Sequence, residues 1–433
     1  MKLKSLLLLI LLNHLFFIDI VAQSLESGKV DVLHYHVYLE PDMEEQHIKG
    51  SVQIRFRTPA KTDQVSFDSG ELTVTGVEGD HVEGFEQLDD KTMVSLAERG
   101  ASVVDIQIFY EGKPTKGMVF LSNLEQLYTV YFTSSWMVCN FSPDDRATIQ
   151  LDLLVPDQLT CIGSGVLVDT QQRDNDMTLY SWRQDYETPA YTYGFVVGSF
   201  HEFHADYGSV QLNYYADNHQ PAEIEKIFRY TGDMISFFEG KTGIPLPQNS
   251  YAQVLIGNHF QEMSGFAILK ANYGKMVLKD STETNLISHE LAHQWWGNMI
   301  TCKNWNHFWL NEGFATYMSA AYNEHRFGKI KYQQDIDAYF GVYDKIMAAG
   351  EDKPLVFKSW SNPTRNDRNL VYFKGAYVLH LLRKELGDEA FWKGVMFFTQ
   401  RYYGKSVTTE DFQLTMEQSS GKDLKVFFDT WIY

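Results

Sequence analysis

The hydrophobic period of this chain changes once, and that change limits the architectures open to it. From about residue 29 to 204, apolar residues recur at the period of a half-buried strand. Val32, Leu33, Val37 and Leu39 fall in a run rich in β-formers, and Ser51-Val52-Gln53-Ile54-Arg55-Phe56-Arg57 alternates strictly. Similar runs cover 103–110, 149–155 and 191–197. They are separated by Pro41-Asp42, Glu78-Gly79-Asp80, Pro143-Asp144-Asp145 and Asp174-Asn175-Asp176, residues that favour turns. Beyond Pro221 the spacing becomes helical. Ile224, Ile227, Phe228, Thr231, Met234, Ile235 and Phe238 predict one helix ending before Gly240. A short strand is expected over 251–256. Helices dominate from 285 onward, most clearly over 376–382 and 424–431. The pattern predicts a multidomain α and β chain, with an all-β domain over 23–205, a boundary near Asp206, and a mainly helical domain over 206–433. A length of 433 residues, too large for one ordinary core, agrees with this division.

The first 22 residues read differently. Lys2 and Lys4 precede an apolar run from Leu6 to Ile18, and Ala22 offers a small residue for cleavage, the layout of a signal peptide. The run is short for a span of ~20 apolar residues. No cysteine follows it to carry a lipid, and no other stretch is long and apolar enough to cross a membrane. Export to a periplasmic or extracellular location is expected. A net charge of −19 argues against nucleic acid as a partner, since phosphate binding needs clustered Lys and Arg. The acidity reads as solubility in preference to attraction for cationic peptides. Cys139, Cys161 and Cys302 are too few for a disulfide scaffold. They read as buried thiols; a Cys139–Cys161 bridge is permitted by export but has no support in the sequence.

The chemistry centres on His289-Glu290-Leu291-Ala292-His293. Residues four apart on a helix share a face, so both imidazoles can reach one Zn²⁺ at ~2.0–2.1 Å. Glu312, in Asn311-Glu312-Gly313, follows His293 after eighteen intervening residues, 294 to 311. With Asn311 as N-cap and Gly328 as stop, Glu312 falls in the first turn of a second helix that can bring its carboxylate to the same metal. Two His and one Glu suit zinc better than calcium or magnesium, and three protein ligands leave a position open, as in catalytic sites. One zinc per chain is expected. Glu290 is placed to act as the general base toward water.

These residues lie in a wider pattern that resembles the aminopeptidase N family of gluzincins, which includes the leukotriene hydrolase. The similarity rests on His289-Glu-Leu-Ala-His-Gln-Trp-Trp-Gly-Asn298, on Leu310-Asn-Glu-Gly-Phe-Ala-Thr-Tyr317, and on Tyr372-Phe373-Lys374-Gly375 with Ala376 to His380. The segments 31–38, 139–156 and 407–431 extend it over nearly the whole mature chain, with Val138 where a proline is usual. The resemblance implies an N-terminal all-β domain with a saddle-like sheet, followed by a thermolysin-like zinc catalytic domain. It implies an aminopeptidase acting on peptides, with Tyr372 hydrogen-bonding the oxyanion; residues alone would make Tyr372 a core aromatic. Three departures stand out. The family's Gly-x-Met-Glu-Asn stretch, whose Glu binds the substrate α-amine, matches Gln261-Glu262-Met263-Ser264-Gly265, which puts Ser264 at the Glu position. Ser319 stands where relatives often carry a second Glu. The chain ends at Tyr433, just after the catalytic domain, so a cleft open on that side is expected. Glu262 is the candidate replacement, since in an extended stretch it would share a face with Ser264. The candidate substrate-binding set is thus Glu262, Met263, Ser264 and Gly265. The alternatives are a zinc peptidase that needs no free amine, and a non-catalytic peptide-binding protein on the same scaffold.

Overall fold

The computed structural model describes residues 30–59, 61–97 and 102–433. The expected signal peptide lies outside these residues.

The N-terminal region is all β, as its period requires. The Arg146–Pro156 strand alternates intermediate and buried positions along its whole length, with Ala147, Ile149, Leu151, Leu153 and Val155 inward. Seven strands form the main sheet, in the order Val166–Arg173, Met177–Pro189, Arg146–Pro156, Asp31–Asp42, His47–Thr58, Ser102–Gly112 and Thr73–Glu78. All neighbours are antiparallel except Asp31–Asp42 beside Arg146–Pro156, which run parallel. One apolar core fills this region, with Tyr35, Phe56, Tyr110 and Trp136 among its largest buried side chains. A four-stranded sheet, Thr160–Gly163, Phe195–Gly198, Gln126–Thr129 and Met118–Leu121, stands at its border.

The second region opens with a hairpin, His201–Tyr207 and Val210–Ala216, that spans residue 206. This hairpin continues through Ser250–Leu255 and Phe266–Leu269 to the edge strand Gln261–Met263. The chain therefore passes from one sheet system to the other between Gly198 and His201. Period two runs on through Asp206 because both sides of that position are strand. Residues from the two regions share an apolar cluster: Tyr128, Val130, Ile162 and Val196 pack with Val254, Ile256, Met263, Phe266 and Ile268.

The single helix expected over 224–238 is two, Pro221–Phe228 and Thr231–Thr242. The apolar period survives the break at Arg229 and Tyr230 because both pieces bury their stripe in the same core. The second continues past Gly240 to a cap at Gly243. Ser250–Leu255 is the strand expected nearby. In the helical remainder, Asn285–Ala292 packs against the central helix Trp309–Phe327, which packs in turn against Gly375–Leu386. Among the described residues, no helix is long and apolar enough to cross a membrane. All three cysteines are buried free thiols.

Candidate active site

The Asn285–Ala292 helix ends one residue before His293, which occupies the C-cap with αR geometry, so the stop comes earlier than Gly297-Asn298 suggests. The two imidazoles remain on one face. Their Nε2 atoms lie 3.0 Å apart, and each is 3.4 Å from the same Glu312 carboxylate oxygen, Oε2. Each imidazole has a partner at Nδ1. His293 Nδ1 lies 2.9 Å from the carbonyl of Trp296, and His289 Nδ1 lies 3.4 Å from the Thr316 hydroxyl. A donor bond from Nδ1 leaves Nε2 as the free ligand atom.

Glu312 arrives in the first turn of Trp309–Phe327, and Gly328 ends that helix. Asn311 is not the N-cap; the helix begins earlier, at Trp309, and Asn311 is fully buried inside it. Its carbonyl oxygen accepts from the Cys302 N–H at 3.0 Å, and its amide donates to Tyr191 Oη at 3.0 Å. Ser319 does not reach the ligands; its hydroxyl bonds the carbonyls of Asn285 and Ala315.

The three atoms that meet here form a natural fit for a metal. Glu312 Oε2 is buried with no conventional hydrogen-bond partner, yet it faces two imidazole nitrogens. A buried, unpaired carboxylate oxygen is costly unless a cation or donor satisfies it. Two nitrogens and one carboxylate are the donor set of a zinc site.

A second group overlaps the first. Glu262, Glu290 and His293 bring their ligand atoms within 4.8 Å of one another. Glu262 gets there from the edge strand Gln261–Met263, which is tied to the histidine helix by Gln294. That side chain accepts from the Gly265 N–H at 3.1 Å and donates to the Met263 carbonyl at 2.9 Å. Gln261 donates to the Glu262 carboxylate at 2.8 Å and accepts from the Tyr131 N–H at 3.0 Å.

The structure separates the rest of the candidate substrate-binding set from Glu262. Ser264 does not face the metal ligands: its hydroxyl lies 3.0 Å from Tyr186 Oη, and its N–H bonds the Thr192 carbonyl. The reason is local. The strand stops at Met263, and Gly265, at φ +88°, reverses the chain into Phe266–Leu269. The shared face of an extended stretch is lost at that turn. Met263 packs its side chain into the apolar cluster between the regions, and Gly265 supplies the turn. The acidic group beside His293 is Glu262, not whatever occupies 264.

Tyr372 lies in a π-helical turn, Leu370–Lys374, leading into Gly375–Leu386. Single π turns recur at functional sites. Its ring stacks on His289, with centroids 5.7 Å apart. Burial, reinforced by Glu312, Glu262 and Glu290, holds its phenol well above the ordinary range, so it keeps its proton.

Electrostatics distinguish the carboxylates. Burial pushes Glu290 well above the usual carboxylate range; His293 opposes this and Glu262 and Glu312 add to it. Burial also lifts Glu262 to about 7. Burial acts upward on Glu312 too, but His293 and the close contacts with both imidazoles outweigh it and bring it down to about 2. Burial works against a charge on His293, yet Glu262 and Glu312 win and raise it to about 10. Sequence reasoning missed Tyr191, Gln261 and Gln294, none of which has a signal of its own in spacing or composition.

Comparison with known proteins agrees with this arrangement. The model of the peptidase family M1 domain matches residues 228–431, and that of the peptidase M1 N-terminal domain matches 32–192. Aminopeptidase N of Streptomyces lividans is 27% identical over 67% of this chain and 35% of its own length. Aminopeptidase N of Lactococcus lactis is 24% identical over 92% of this chain and 50% of its own. The chain thus spans about half the length, or less, of these curated relatives. Among solved structures, the M1 zinc metallopeptidase of Deinococcus radiodurans, in a variant bound to a Tyr-Ser-Ala substrate, superposes with a TM-score of 0.79 at 23% identity, covering 93% of this chain and 94% of that one. The same fold recurs in a two-domain M1 zinc metallopeptidase bound to tryptophan, with a TM-score of 0.80 at 22% identity, 94% of this chain and 95% of that one. With both domain models matched in order, and the His289, His293 and Glu312 cluster inside the second match, the chain belongs to peptidase family M1.

Proposed function

We propose that this protein is a zinc-dependent aminopeptidase that removes residues from the N-termini of peptides. The observation that carries the reading is the Glu262 carboxylate, within 4.8 Å of Glu290 and His293 ligand atoms. It supplies negative charge beside the reacting centre, where an exopeptidase must hold a protonated amine. His289, His293 and Glu312 would hold one zinc. When bound, such an ion polarises a carbonyl and lowers the pKa of water to about 7.

The chain's own residues supply the rest. Glu290 is buried and carries an oxygen, Oε2, without a hydrogen-bond partner. Its raised proton affinity suits a base that takes a proton from the attacking water and returns it to the leaving amine. Tyr372 keeps its proton and can donate to the oxyanion of the tetrahedral intermediate. Glu262, oriented by Gln261, pairs with the substrate ammonium, and that positive charge favours its ionised form. Ser264 plays no part in this, which removes the motive for an amine-independent peptidase. The basic, apolar N-terminal segment supports export of the mature chain.

A matched pair of free-amine and N-acetylated fluorogenic peptides tests the reading. The wild type should bind about one zinc and cleave only the free-amine peptide. Glu262→Ala should lower kcat/KM on it by the worth of a charge-assisted hydrogen bond, about 1.5–3 kcal/mol or ten- to hundredfold. Equal turnover of both peptides by the wild type would overturn the aminopeptidase assignment.

A further inference from the structure

One hydroxyl from the N-terminal β region touches both the turn that follows the histidine pair and the helix that carries Glu312. Tyr191 lies in the short turn Ala190–Thr192 that follows the Met177–Pro189 strand, and it is 5% exposed. Its phenol donates to the Gly297 carbonyl at 2.8 Å and accepts from Asn311 Nδ2 at 3.0 Å. Gly297 follows Trp296, whose carbonyl is the partner of His293 Nδ1. Asn311 immediately precedes Glu312. A single oxygen therefore bridges the segment that orients one imidazole and the residue that leads into the carboxylate ligand. The Trp305 ring meets the tyrosine edge-on at 5.1 Å and fixes its direction. Arg146, also from the β region, grips the same segment through the carbonyls of Asn298 and Met299 at 2.9 and 3.1 Å.

We propose that Tyr191 is a positioning residue of the metal centre: its hydroxyl sets the spacing between the histidine pair and Glu312, so that zinc affinity depends on the N-terminal domain. The proposal rests on the zinc site described above. Outer partners of metal ligands typically change affinity ten- to hundredfold when removed. Tyr191 acts one bond further out, but on both sides of the site at once.

The molecule contains its own control. Tyr193, two residues on, is also buried, and its phenol also makes two hydrogen bonds, to the carbonyls of Ala147 and Thr188, both within the N-terminal domain. Tyr191→Phe and Tyr193→Phe thus remove the same atom from similar surroundings. The full-length protein and both variants are compared by zinc affinity in competition with a chromophoric chelator, by the visible spectrum of the cobalt(II)-substituted form, and by thermal melting after chelation. Tyr191→Phe should bind zinc roughly tenfold or more weakly and shift the cobalt spectrum. Tyr193→Phe should lower the melting temperature while leaving zinc affinity and spectrum as in the wild type. Wild-type affinity and spectrum in Tyr191→Phe would overturn the proposal, as would equal weakening in both variants. Failure of the wild type itself to bind zinc would instead refute the metal site, and the positioning role with it.

Discussion

Three carboxylates meet around His293, and their environments push them apart. Glu312 is held down to about 2 because His293 and the two imidazole contacts outweigh its burial. Glu290, buried and facing two other acids, is pushed up. Groups whose environments separate them in this way divide the roles of ligand and base. Glu290→Gln is therefore expected to retain zinc, measured by metal analysis, while losing most turnover, because an amide takes no proton. Near-normal kcat would show that another group is the base. Tyr372→Phe should also retain zinc and lower kcat by about 10²–10³, the cost of one oxyanion donor; a drop confined to KM would point to a binding role. His293, raised to about 10 by its acidic neighbours, holds a proton at neutral pH until zinc displaces it. Zinc uptake at pH 7 should release at least one proton, read from calorimetry in buffers of different ionisation enthalpy. No release would contradict the charge state assigned to His293. His289 and His293 are legible in sequence because their i, i+4 spacing is local, with Glu290 between them, whereas Glu312 is legible only through the residue pattern that opens a second helix. The acidic group beside His293 is not legible: choosing between positions 262 and 264 depends on where a strand ends.

At the scale of elements, the site depends on how closely two helices approach. Gly313, next to Glu312, meets Gly375, three residues beyond Tyr372. A Cβ built on Gly313 would lie 3.0 Å from Gly375 Cα and 3.2 Å from the Val371 carbonyl oxygen. Both neighbours are backbone and cannot swing aside. Gly313→Ala should gain ~0.5–1 kcal/mol in helix propensity, but overpacking against backbone costs ~1–3 kcal/mol. Net destabilisation is expected, together with a kcat loss as the π turn carrying Tyr372 is pushed away. A variant that melts higher than wild type with unchanged kcat would show the contact to be slack. The helices themselves are legible from period alone. Their ends are less so. Asn311 looks like a cap by residue type, yet its amide is used to bridge Cys302 and Tyr191, a demand of tertiary structure. The break at Arg229 and Tyr230 is invisible because the buried stripe resumes in phase.

At the scale of the whole molecule, the two regions form one functional body. The four-stranded sheet and the five-stranded sheet share an apolar cluster that includes Met263, so the strand bearing Glu262 is packed from the N-terminal side. The candidate ligands His289, His293 and Glu312, and Glu262 beside them, come from the histidine helix and its cap, the central helix and the edge strand, elements brought together only in the native fold. Zinc should thus bind the native state far more tightly than the unfolded chain and raise stability by mass action, about 4 kcal/mol at a thousandfold excess over its dissociation constant. Chelation should lower the melting temperature, and zinc should restore it; His293→Ala should show neither shift. The effect has a predictable pH dependence. Glu262 has a folded value of about 7 against an ordinary 4.5. Without zinc the folded protein keeps a proton that the unfolded chain releases, so this group's contribution to stability is lost as pH rises from 4.5 through 7. Zinc binding strengthens over the same interval because zinc must displace the His293 proton, and that displacement is favoured as the proton concentration falls. Both effects widen the gap between zinc-loaded and zinc-free melting temperatures from pH 5 to pH 7. In Glu262→Gln the zinc-free protein should lose this part of its pH dependence. A gap that narrows toward pH 7, or a wild type whose melting ignores chelation, would mean that these buried acids do not face a native-state metal.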